Sequence, residues 1–132
     1  MGIKLTSEYE EILRKRALAF LEHAQIAFER EEYDLVIFYI EQSLQLYLKY
    51  LLYKKIGDFP KTHSIIRLIK DVTSVYESKE LENLYKTNLE AFNLLEEAYI
   101  TSRYLPRSYE REIAERMLEF ARRVLEVLKC LK

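Results

Sequence analysis

The stretch from Tyr99 to Tyr109, YITSRYLPRSY, holds the residue types of this chain best suited to chemistry. It closes a long helical segment, passes Arg103 and Tyr104, breaks at Pro106 and restarts a helix behind Ser108. A helix start carries unpaired backbone N–H groups and partial positive charge, so it attracts anions. Arg103, Arg107 and Arg111 surround this one, and planar guanidinium groups pair well with phosphate. Tyr104 and Tyr109 flank the break. A ring beside a guanidinium stacks on a nucleobase or packs over the proline turn, and the residues alone do not choose between these. Contact with a nucleotide or RNA, if the protein makes one, is expected at this junction.

Other chemistries find less support. His63, in Lys61-Thr62-His63-Ser64, reads either as a polar residue of a capping turn or as an imidazole facing a cleft as acid, base or ligand. His23 reads as a solvated mid-helix residue. The two histidines lie far apart, without the H-x-x-x-H or H-E-x-x-H spacing of a metal site, so no metal is expected. The only glycines are Gly2 and Gly57, which excludes a G-x-S-x-G elbow, a P-loop and a dinucleotide fingerprint. No cofactor is expected either. Cys130 is the single cysteine, so an intrachain disulfide is excluded and the thiol reads as a terminal helix residue. Carboxylate runs such as Glu8 to Glu11 and Glu96-Glu97 read as solvated helix faces.

The elements that position the junction are helical. Ser7 and Glu10 form a capping-box pattern, and Leu13, Ala17, Phe20, Ala24 and Ala27 follow at helical spacing. After an acidic turn, a second helix is predicted over about Asp34 to Ile56. Its apolar residues nearly encircle it, so it is central in the bundle or shared with another subunit. Gly57 suits a C-terminal cap. A shorter helix capped by Thr62 is expected to run to about Tyr76. A fourth is expected from Ser78 to Tyr99, and a fifth from Ser108 with Ile113, Met117, Ala121, Val124, Leu128 and Leu131 inward. These patterns predict an all-α, five-helix up-and-down bundle, a single domain over residues 1–132.

Composition agrees. Hydrophobic residues make up 49%, enough for a core, while 2 Gly and 2 Pro leave little for the turns of a β fold. With 21 basic and 22 acidic side chains the net charge is −1, so any nucleic-acid contact must rest on a local patch. The N-terminus lacks a secretory pattern, and no apolar run approaches the ~20 residues that span a bilayer. A cytoplasmic protein without membrane contact is expected. Plentiful Glu, Lys, Arg, Ile and Tyr fit a heat-adapted source.

Four features together resemble the HEPN family (higher eukaryotes and prokaryotes nucleotide-binding domains). They are the second helix from Phe38 through Gln42-Ser43 to Leu52 and Gly57; the segment Pro60-Lys61-Thr62-His63-Ser64-Ile65 with Leu68; Ala98 to Pro106 with its Arg-Tyr pair; and the order and length of the helices. The likeness runs from about Tyr9 to Leu131. It implies a bundle with a four-helix core that forms a homodimer and brings two arginine junctions towards a shared cleft.

Many members of that family are metal-independent endoribonucleases, often toxins of toxin–antitoxin pairs whose partner is a minimal nucleotidyltransferase. Others bind nucleotides or serve as interaction modules. The nuclease pattern is an arginine and a histidine separated by about four to six residues. Arg103 matches the arginine, but Ser108, Tyr109 and Glu110 stand where the histidine belongs. The expected function is therefore binding of a nucleotide, RNA or a nucleotidyltransferase partner, with weak or no nuclease activity. Arg103, Tyr104, Arg107, Tyr109 and Arg111 are the candidate binding residues. The alternatives are an endoribonuclease using Arg103 with a displaced base such as His63, or a structural dimerisation module.

Overall fold

The computed structural model describes the backbone of residues 2–104 and 107–132 and the side chains of residues 7–101 and 107–132. Among the described residues six helices follow one another: α1 (Gly2–Glu29), α2 (Tyr33–Ile56), α3 (Ile65–Tyr76), α4 (Lys79–Thr87), α5 (Leu89–Tyr104) and α6 (Arg111–Lys129). Helix α2 packs against α1, α3, α5 and α6, which explains its all-round apolar sequence. Its Val36, Ile37, Ile40, Leu44, Leu48 and Leu52 form the centre of the core. Small residues seat it on α1. Ala17 and Ala24 are fully buried, and the Ser43 hydroxyl donates to the Ala17 carbonyl at 2.7 Å. Among the described residues, no helix is long and apolar enough to cross a membrane.

Helix ends depart from expectation in four places, each for a local reason. Helix α1 begins at Gly2, so Ser7 lies inside it; no proline interrupts residues 3–6, and the helix extends past the capping pattern. Helix α3 is capped by Ser64 rather than Thr62. The Ser64 hydroxyl accepts from Arg67 N–H at 3.1 Å, while Thr62 Oγ1 accepts from Ser64 N–H one step earlier.

The long helix expected from Ser78 to Tyr99 divides at Asn88, which makes six helices instead of five. There the Asn88 amide donates to the Leu84 carbonyl and the Thr87 hydroxyl to that of Asn83, both at 2.9 Å. Such side-chain bonds compete with the backbone ladder, and Asn88 leaves helical geometry at φ −132°. Helix α6 starts at Arg111, with Ser108 exposed upstream and Glu110 at the cap position without a side-chain cap bond. Tyr109 is buried, so the chain stays extended through Glu110 before turning. Ile113, expected inside, is exposed, and Ala114 takes the buried position.

Other caps match. Gly57 adopts φ +76° and its N–H closes on the Tyr53 carbonyl at 2.8 Å, and Ser78 Oγ accepts from Leu81 N–H at 3.0 Å.

The end of α3 is tied to α2 by the Tyr76 hydroxyl, which donates to the Leu51 carbonyl at 2.7 Å. Burial is the main cause that pushes this phenol up to about 12 from its ordinary value near 10. A raised phenol stabilises the fold fully below the unfolded value and loses that contribution as pH climbs through the folded one. Urea unfolding should therefore show stability falling between pH 10 and 12. The fall should be larger in the wild type than in Tyr76→Phe by on the order of 1 kcal/mol, allowing for partial exposure.

Candidate functional site

Inside the apolar α2 runs a polar stripe at four-residue spacing: Glu41, Gln45 and Lys49, exposed by only 0%, 4% and 9%. Buried polar groups persist only when they are paired. Each Glu41 oxygen accepts an amide at 2.7 Å, Oε1 from Gln42 and Oε2 from Gln45. Lys49 Nζ donates to Gln45 Oε1 at 3.0 Å and lies 5.6 Å from the Phe59 ring centroid. Burial lowers the Lys49 ammonium from its ordinary value, and Glu41 opposes the shift.

His63 meets this stripe from the connection between α2 and α3. Its Nδ1 lies 3.1 Å from Gln45 Oε1, and its carbonyl accepts from Gln45 Nε2 at 3.4 Å. The imidazole stacks on Tyr99 of α5 at 4.7 Å between centroids, the rings 14° from parallel, while the residue as a whole remains exposed. Glu96, one turn earlier on α5, fixes the same connection. It accepts from Ser64 Oγ at 2.6 Å and from Ile66 N–H at 3.4 Å, placing a carboxylate at the start of α3. His63 thus lies in the capping turn of α3, directly before its cap. Ser64 caps, and His63 joins three elements.

Arg103 follows Tyr99 by four residues within α5, so helical register sets the two on one face. The side chains of Arg103 and Tyr104, and all of Pro106, lie outside the described residues. Arg107 is exposed and pairs with Glu97 at 3.5 Å, its guanidinium 5.2 Å from the centre of the Tyr109 ring. Tyr109 is only 8% exposed. Its ring is buried with the Arg107 guanidinium over it, so of the two readings left open above the structure shows the packing one. Arg111 stands apart from that pair. It lies 4.8 Å from the centre of the Phe28 ring and donates to the Tyr33 hydroxyl at 3.4 Å, at the α1–α2 turn. The helix start expected to gather three arginines therefore carries Glu110 at its cap and sends Arg111 elsewhere.

Among the described residues, the buried hydroxyls of Thr101 and Tyr109 have no hydrogen-bond partner. They flank Arg103 in sequence, and orphaned polar groups of this kind are uncommon in a finished core. A cleft of about 520 Å³ between α3 and α4 is lined by residues that include Lys70, Lys79, Tyr85 and Lys86 and shares no residue with the His63 constellation.

Glu41, Gln45 and Lys49 were not singled out from sequence, and Glu96, read there as part of a solvated face, instead accepts bonds at the start of α3. Their signal is the E-x3-Q-x3-K spacing inside a helix otherwise apolar on every side, and Glu96 at helical spacing before Tyr99 and Arg103. Chemically, the described side chains of the constellation offer an anchored imidazole and an aromatic face, and the helix carries Arg103 one turn on. An imidazole and an aromatic face suit a sugar or a base.

Comparison with curated proteins found no match, and comparison with solved structures found none. The model of the HEPN domain matches residues 10–131, nearly the whole chain. With its helical bundle and its arginine at the end of α5, this chain belongs to the HEPN domain family.

Proposed function

We propose that the protein binds RNA or a nucleotide where the Arg103 face of α5 meets His63 and the polar stripe of α2. The observation that carries this reading is His63 stacked on Tyr99, one turn before Arg103. Arg103 takes phosphate oxygens, and Arg107 joins it by leaving Glu97, an exposed pair of little strength. Membership of the family supports a nucleotide- or RNA-directed module in general. The same reading makes the working form a homodimer with a minimal nucleotidyltransferase as partner, in a toxin–antitoxin pair.

A second reading, metal-independent endoribonuclease, is favoured by the same stack, because an imidazole beside the arginine face replaces the histidine missing after Arg103. One experiment separates the two. Labelled single-stranded RNA is titrated with the protein in EDTA and the products are run on a gel. Binding without cleavage supports the first reading. Cleavage that His63→Phe removes supports the second. Cleavage unchanged in that variant sinks the second, and absence of binding sinks both.

A further inference from the structure

We infer that the groove between α5 and α6 docks an amphipathic helix of a partner protein, with apolar side chains on its buried edge and carboxylates beside them. This goes beyond the RNA-binding reading and does not depend on it.

The groove arises because α5 and α6 both pack on α2 and on α4. Phe92 and Phe120 meet between them at 5.1 Å. Beside that contact lies a cavity of about 340 Å³, whose lining includes Ala91 and Leu94 of α5 and Ile113, Met117 and Phe120 of α6. A second cavity of about 500 Å³ adjoins it around the break at Asn88, and the two share Asn88, Glu90 and Ala91. Together they make one trough along the start of α5. Met117 and Phe120 are buried in its floor, while Leu89 and Ile113 of its lining stand 46% and 38% exposed. Large apolar side chains left in water beside a concave apolar floor mark a surface that gains by being covered.

Charge decides what covers it. Arg116 and Arg123 line the smaller cavity, and both are exposed. Among the described residues neither has an ion-pair partner. Other arginines are engaged: Arg122 donates to Gln25 of α1, and Arg107 pairs with Glu97. Among the described residues that line this cavity, Glu90 is the only acid. Two guanidinium groups against one carboxylate leave the rim positive, although the whole chain carries −1. Such a rim draws an acidic partner and repels a basic one.

Spacing favours a helix as the occupant. Arg116 and Arg123 stand seven residues apart on α6, two turns or about 10 Å along its axis. A helix lying along α6 presents its side chains at the same rise. Two of its carboxylates, also seven residues apart, then meet both guanidinium groups, and apolar residues at helical spacing between them reach the floor. An extended segment would instead lay unpaired backbone groups on that apolar floor.

The probe is a fluorescein-labelled peptide of about 20 residues, long enough to hold a helix, with leucines along one edge and glutamates flanking them. A counterpart carries lysines in place of the glutamates. Fluorescence anisotropy at one salt concentration reads the affinity of each. The wild type should bind the glutamate peptide at least about tenfold more tightly than the lysine peptide. The double variant Arg116→Glu, Arg123→Glu should reverse that order, with its fold checked by circular dichroism. If it does not fold, the two wild-type affinities still decide. No binding of the glutamate peptide, or equal affinity for both peptides, overturns the inference. So does a wild-type dimer that the double variant splits in analytical ultracentrifugation, which gives the groove to a second copy of this chain. RNA affinity should stay within about twofold in the double variant; a large loss gives the groove to RNA and overturns the inference as well.

Discussion

Phe92→Ala should lower the unfolding free energy by about 3–5 kcal/mol and the melting temperature by roughly 10–20 °C, measured by circular dichroism. The side chain is fully buried. It meets Phe120 of α6 edge-to-face at 5.1 Å and Tyr85 of α4 at 5.4 Å, so one ring clamps three helices. It lies in the first turn after the break at Asn88, where Phe92 N–H closes on the Asn88 carbonyl at 3.2 Å. Truncation leaves a cavity at the point where the backbone ladder is already interrupted, and neighbouring rings cannot easily close it. A loss under about 1 kcal/mol would show that α5 is not held there. The proposed binding face lies further along the same helix, so this change should also loosen the grip on Tyr99.

The break at Asn88 also shows what kind of information the sequence withholds. Periodicity carries on through it, because Leu81, Leu84, Tyr85, Phe92 and Leu95 all keep facing the core. Only the local competition of the Thr87 and Asn88 side chains for carbonyls divides the helix. The central place of α2 was legible for the opposite reason: a helix apolar on all sides has to be surrounded. Caps were legible where the geometry is strict, as at Gly57 and Ser78. They were not where two hydroxyls compete, as at Thr62 and Ser64, or where a buried ring delays the turn, as at Tyr109.

The site was only half legible. Arginines near a helix start look alike in sequence, yet Arg107 meets Glu97 while Arg111 meets Phe28 and Tyr33. Which of them share a space depends on how α6 leaves the junction. His63 drew notice as a lone imidazole, but its partners, Gln45 and Tyr99, lie 18 and 36 residues away along the chain. No local spacing links them. The stripe Glu41, Gln45, Lys49 was written plainly at four-residue intervals, hidden among apolar neighbours that drew the eye.

Arg103→Ala carries the second large effect. A guanidinium on phosphate makes charge-assisted and often bidentate bonds, so its loss should weaken binding of single-stranded RNA by about ten- to hundredfold. The comparison must be made at one salt concentration, since general attraction to the phosphate chain falls steeply with salt. The competing location is the α3–α4 cleft, whose lysines present positive charge without an anchored imidazole. Lys79→Ala removes one of those lysines and leaves the His63 constellation untouched.

The most direct measurement is therefore the affinity of Arg103→Ala and Lys79→Ala for the same RNA, side by side with the wild type. We expect at least a tenfold loss for Arg103→Ala and a change of less than about twofold for Lys79→Ala. Undiminished binding by Arg103→Ala together with a large loss in Lys79→Ala would place the ligand in the other cleft and contradict the site described here.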